Sequence, residues 1–273
     1  MVDASNAGLT SALARNVPRL AALGLGLAVA AALVAMLSGP LYQMKLIALF
    51  PAFTVLRYAV YAAIAGGAIA LLSLVAALVA GGVGAAARNA TGWVGLLVGL
   101  VVFYVPYSVQ SGGYPPIHDV TTDIDDPPAL IAAVPLRQST GATNTPEYDR
   151  IVKSPRGNAE FNVPELQKKA FPDIQPVKLD MPPEQAFQKA LDTVAALRWT
   201  LIEANAAEGR IEAWDKTAWF GFIDDVVIRV RADGAGSRVD VRSVSRIGFG
   251  DIGKNAKRIR AFTAKLTGKG AHG

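Results

Sequence analysis

From Pro18 to Gln110 the chain is apolar almost without a break, and Arg19, Lys45, Arg57 and Arg88 are the only charged residues in that stretch. A helix rises ~1.5 Å per residue, so the hydrocarbon layer of a bilayer takes ~20 helical residues to cross. Three stretches qualify: Leu20–Tyr42, Tyr58–Ala80 and Gly92–Gln110. In hydrocarbon every backbone polar group must bond within the segment, which forces helix. Trp93 opens the third run and Tyr104 and Tyr107 close it, as interfacial aromatics do. Leu46–Leu56, bracketed by Lys45 and Arg57, would reach only ~16 Å as a helix. It contains Pro51 and reads as an interfacial loop or a helical extension.

After Gly113 the pattern changes. Ser111–Pro116, Asp126–Pro128 and Gln138–Thr145 are rich in turn residues, and Glu147–Asn162 reads as largely irregular. Regularity begins at Val177–Leu179, a short strand. A helix opens at Met181-Pro-Pro-Glu, and Phe187, Ala190, Leu191, Val194 and Leu197 share one of its faces. Trp199–Ala204 and Arg210–Asp215 are strands about a turn. Val226, Ile228, Val230 and Ala232 alternate with Val227, Arg229 and Arg231, the pattern of a half-buried strand. Asp233-Gly-Ala-Gly turns the chain into Arg238–Ser245. A last helix runs from about Asp251 to Leu266. The expected fold is an α-helical membrane bundle of three transmembrane helices (residues 1–112) followed by an α+β soluble domain (residues 113–273). That domain has the order β-α-β-β-β-β-α, its antiparallel sheet packed on two helices. The free sheet face is expected to be a concave platform near Trp214, Trp219, Phe220 and Phe222.

Composition sharpens this division. The 273 residues are 52% hydrophobic and carry a formal charge of +5. The first 112 hold five Lys/Arg against Asp3, whereas the remainder is nearly balanced, with 22 Lys/Arg against 21 acids. The basic balance is a membrane-flank effect, so nucleic acid is not an expected partner. Within the soluble half, residues 238–273 hold nine Lys/Arg against Asp240 and Asp251. Cysteine is absent, which removes disulfides, thiolate zinc sites and thiol nucleophiles. No Asp, Glu, Lys or His lies mid-span, which argues against an ion or proton pathway. Gly24 with Ala28, Gly66-Gly67 and Gly95 with Gly99 are spaced for close helix approach, inside the bundle or across a dimer seam. Ser111–Leu136 lacks Lys and Arg and carries Asp119, Asp123, Asp125 and Asp126. That exit predicts a cytoplasmic N-terminus and an extracytoplasmic domain, periplasmic in a Gram-negative host, behind a bacterial inner membrane.

Two segments hold candidate chemistry. His118, Asp119 and Asp123 are potential ligands for a hard cation, although the spacing is not that of a helix–loop–helix calcium site. Around Arg246 to Arg258, a glycine-rich turn precedes a helix. There Asp251 can cap free N–H groups, while Arg246, Lys254, Asn255 and Arg258 are candidate binding groups for an anion. The only histidines are His118 and His272, and no nucleophile–base constellation is evident. The run Pro115–Pro128 and the run Asp240–Ile259 resemble the bacterial and plastid family catalogued as domain of unknown function 1499, over residues 115–266. The resemblance implies kinship without a reaction or ligand. It also implies that the acidic, proline-rich segment belongs to the domain.

The expected role is a non-catalytic envelope module with no cofactor. It would sit in the lipid bilayer and present its domain to a lipid, polymer or protein partner on the extracytoplasmic side, with the basic last helix near anionic head groups or an acidic partner. The alternatives are a metal-dependent or hydrolytic enzyme using His118, Asp119 and Asp123, with the metal unknown, and a structural subunit of a larger membrane complex.

Overall fold

The structure, a computed structural model, describes residues 2–154 and 157–268; His272 lies outside them. The chain divides into two compact units. Residues 1–112 with 219–221 form one, and residues 113–218 with 222–273 form the other.

The first unit consists of α1 (Val2–Gln43), α2 (Leu49–Arg88) and α3 (Ala90–Ser111). All three are long and apolar enough to cross a membrane. Large apolar side chains such as Leu33, Leu72 and Leu97 lie more than half exposed on their outer faces, as a lipid solvent requires. The Leu46–Leu56 stretch is helical extension from Leu49 onward: α2 starts there and holds Pro51 in its first turn, where no intrahelical N–H is lost. The small residues let the backbones touch within the bundle. A β-carbon on Gly24 would lie 2.6 Å from the Ala70 nitrogen, and one on Gly66 would lie 2.6 Å from the Ala28 nitrogen. Asn89 joins α2 to α3; its Oδ1 accepts from Gly92 N (3.1 Å) and its Nδ2 donates to Ser73 Oγ (3.1 Å).

The second unit is built on a six-stranded antiparallel sheet. Its strands are β1 (Asp119–Thr121), β4 (Val177–Leu179), β5 (Thr200–Asn205), β6 (Arg210–Lys216), β7 (Ile223–Asp233) and β8 (Gly236–Ser245). The order is β1-β8-β7-β6-β5, with β4 paired to β8 as well. Helices α6 (Pro183–Ala196) and α7 (Lys254–Thr267) cover one face. There Val226, Ile228, Val230, Val239 and Val241 meet Phe187, Val194, Ile259, Phe262 and Leu266 in one core. The alternation in β7 and β8 supplies the sheet side of that core.

The domain holds more than the expected strand and helix order. β1, α4 (Ala133–Ser139), the hairpin β2 (Ile151–Lys153) and β3 (Glu160–Asn162), and α5 (Val163–Ala170) all precede β4. The stretch expected to be irregular is thus partly a hairpin, and it leads into a helix capped by Asn162 Oδ1 on Glu165 N (3.2 Å). The second sheet face is not an open platform. Leu130 and Ala133 pack on Val227 and Val244 across it, and Trp219 and Phe220 group with the first unit.

Candidate functional site at the junction of two motifs

The two motifs meet in space. β1 pairs antiparallel with the end of β8, with Asp119 opposite Val244 and Thr121 opposite Arg242. The His118 carbonyl accepts from Ser245 N (2.9 Å) and Asn255 Nδ2 (2.8 Å). Asp251 N donates to the Ile117 carbonyl (3.1 Å), and the Asp251 carboxylate accepts from Gly253 N (2.8 Å) and Asn255 N (2.6 Å), closing the first turn of α7. Asn255 Oδ1 accepts from Ser243 Oγ and Arg258 Nη1, both at 2.7 Å. Arg258 then bonds Asp215 (2.9 Å) on β6 and Asp224 (2.8 Å) on β7. Burial holds the His118 imidazole below its ordinary pKa, with the Asp119 charge opposing, so the ring is favoured neutral. Burial pushes the Asp251 carboxyl up to about 6, against the pull of the two backbone N–H groups it caps.

On the opposite sheet face the acidic segment forms a strap of ion pairs. Asp225, fully buried, accepts from Arg137 of α4 (2.6 Å) and from Arg246 of the loop after β8 (2.7 Å). Arg242 pairs with Asp119 (2.7 Å) and donates to the carbonyls of Pro128 (3.2 Å) and Pro146 (2.9 Å). Glu212, also fully buried, accepts from the backbone N–H groups of Ile131 (3.0 Å), Ala132 (3.0 Å) and Ala133 (2.8 Å) at the start of α4, and it pairs with Arg210. Asp123 Oδ1 accepts from Asp125 N (3.2 Å) and Asp126 N (3.0 Å), while its Oδ2 pairs with Arg238 (2.6 Å) and Arg229 (3.3 Å). Asp240 takes Arg229, Arg231 and Arg238 together. A buried charge deprived of its partner costs several kcal/mol, roughly 3–5. The strap is therefore held by groups that need one another.

The family model described as protein of unknown function (DUF1499) matches residues 119–266, more than half of the chain. The chain belongs to the DUF1499 family. No curated protein matches it. The DUF1499 region runs from β1 to the last turn of α7, so it takes in the strap and the α7 junction but none of α1–α3.

Within this DUF1499 domain, the eight residues singled out in the sequence fall into distinct groups. His118, Asp251, Asn255 and Arg258 converge on the first turns of α7. Asp119, Asp123 and Arg246 belong to the strap and pair with Arg242, Arg238 and Asp225. Lys254 is exposed and forms no ion pair among the described residues. Among the described residues no group of three or more His, Asp or Glu is placed to hold a metal ion. His118, Asp119, Asp149, Val152 and Val163 line a depression too tight to admit a water molecule, far short of a small-molecule pocket. Among the described residues the Tyr148 hydroxyl is buried without a hydrogen-bond partner, and burial holds the phenol above its usual pKa. Sequence reasoning passed over Arg137, Glu212, Asp225, Asp240 and Arg242. The signal for Asp240 and Arg242 was present in the charged positions 238, 240, 242 and 246, which share one face of β8 and its continuation.

Proposed function

We propose that this DUF1499 protein is a membrane-anchored envelope protein of the bacterial inner membrane. Its N-terminus is cytoplasmic and its domain is a non-catalytic binding or assembly module on the periplasmic side, presented to a lipid, polymer or protein partner. One observation carries the reading: the buried charged groups of both motifs are paired within the domain, fastening the strap and capping α7. Three helices apolar enough to span a bilayer support the membrane half of it. The test is Asp123→Ala in the full chain, with thermal unfolding and elemental analysis side by side. A lower midpoint with metal content unchanged is expected, because Arg238 and Arg229 lose a partner. One tightly bound metal per chain that disappears in the variant would overturn this reading in favour of a metal-dependent hydrolase.

A second reading, a structural subunit of a larger membrane complex, draws support from an open apolar groove on the bundle. Ile64, Gly67, Ala68 and Leu71 of α2 and Leu96, Gly99, Leu100 and Phe103 of α3 line its roughly 250 Å³. A stoichiometric partner retained in mild detergent by residues 1–112 alone would favour it; loss of every partner with the domain would remove it.

A further inference from the structure

The turn between β8 and α7 carries two features that folding alone does not ask for. Ile252 has φ +57°, in the left-handed region, and is 48% exposed. A β-branched residue is a rare occupant of that region, and the other positive-φ positions of this turn, Gly248 and Gly253, are glycines. Asn or Gly would hold the same backbone at lower cost, without an apolar side chain in water. The turn is not loose: Asp251 N is held by the Ile117 carbonyl, and the Asp251 carboxylate bonds the nitrogens on both sides of Lys254. The structure thus projects an isoleucine outward on a fixed support.

Basic and aromatic groups surround that tip. Lys254 and Lys257 are exposed, three residues apart and hence on neighbouring positions of one helix face. Neither forms an ion pair among the described residues, whereas Arg258 is buried on Asp215 and Asp224 and Arg260 is engaged by Asp173. Of the three exposed lysines of α7 without an ion pair among the described residues, two therefore sit at its start, and Lys265 lies in its last turn. Tyr114 lies against Gly253, where a β-carbon would come 2.5 Å from Tyr114 Cε1, and Lys257 Nζ sits 5.9 Å from the centre of the same ring. Tyr114 follows Ser111, the last residue of α3, by three positions. Three residues span at most about 11 Å. Whatever the arrangement of the two units, this corner of the domain is tethered close to the surface from which α3 emerges.

We propose that Ile252, Lys254, Lys257 and Tyr114 form a contact surface for the headgroups of anionic phospholipids. The inference rests on the reading of a membrane-held domain and names the partner of one of its surfaces. The charges match the ligand in sign, an isoleucine and a tyrosine are suited to the headgroup boundary, and the lipid is the anionic surface within tether reach. Lysines near such a surface each strengthen attraction by roughly fivefold at low salt.

The absence of cysteine makes a single label straightforward. Full-length Ile252→Cys, carrying an environment-sensitive fluorophore, is placed in nanodiscs of pure phosphatidylcholine or of phosphatidylcholine with phosphatidylglycerol. The expected result is blue-shifted emission in the anionic discs, reversed by 0.5 M salt (roughly a 4–5 Å screening length) and by Lys254→Glu with Lys257→Glu. Acidic residues in a first helical turn favour the helix, so that variant keeps its fold. A label on Ala207→Cys, in the exposed turn between β5 and β6, is expected to stay water-like in both discs. Water-like emission from position 252 in both discs overturns the proposal, and so does an equal shift in both. Neither outcome touches the metal and stability result for Asp123→Ala, so the two readings fail separately.

Discussion

At the scale of the residue, two buried groups at the start of α7 titrate in opposite senses. His118 has a lowered pKa in the fold, so the unfolded chain binds its proton more readily. Its contribution to stability is lost as the pH falls below about 6.5, the ordinary value for the free ring. Asp251 is raised to about 6, so the folded chain binds its proton more readily. Its contribution is fully present below about 3.9, the ordinary carboxyl value, and is lost as the pH rises through about 6. The two oppose one another in the parent chain. In Asp251→Asn, urea unfolding is expected to show stability rising with pH between about 4 and 6.5 more steeply than in the parent; in His118→Asn, stability falls over the same interval. A parallel slope in all three chains would sink this account. His118 and Asp251 were legible in the sequence as noteworthy residues, because a lone histidine and an acid before a helix are local signals. Asp225 and Glu212 were not. A charged position in an alternating strand ordinarily faces water, and the partners that bury these two, Arg137 and the backbone at 131–133, lie some 80 residues away in the chain.

At the scale of the element, long periodic segments were readable and short ones were not. The alternation of β7 and β8 and the apolar faces of α6 and α7 announce themselves over ten residues or more. β1 has three residues, too few to display a period, and all three are buried. α4 has seven residues and no side-chain cap of its own; Glu212 of β6 supplies that service from another element. In the bundle the reverse holds, because glycine spacing is a local signal of close approach. It left open which surfaces approach, and the contacts place α1 against α2. Gly66→Leu is expected to lower the stability of the bundle by about 1–3 kcal/mol, since its side chain would meet the Ala28 backbone. Gly26, where an added β-carbon would meet no atom within 4 Å, is the matched control: Gly26→Leu leaves helix content and thermal midpoint in detergent unchanged. Equal losses in both would overturn the packing account, since leucine is the better helix former at either position.

At the scale of the whole molecule, the division into an apolar bundle and a polar domain is visible in the first reading of the chain, because two solvents impose two compositions. The proposed orientation rests on the Lys/Arg-free exit between Ser111 and Leu136. A phosphatase fused at Gly141, an exposed glycine beyond α4, is expected to be active and a cytoplasm-dependent fluorophore there dark; the converse pattern would reverse the orientation. The strap also bears on the order of events during biosynthesis. Asp119 and its partner Arg242 are separated by 123 positions. At a synthesis rate of ~5–20 residues per second, the earlier motif leaves the ribosome roughly 6–25 s before the strand that receives it exists. β1 and α4 must therefore wait as nascent, unpaired chain, and the sheet closes only after synthesis has passed β8. Any premature stop upstream of residue 242 would leave the strap's acids without their arginine and deliver an emerging polypeptide to quality-control proteases instead of a domain.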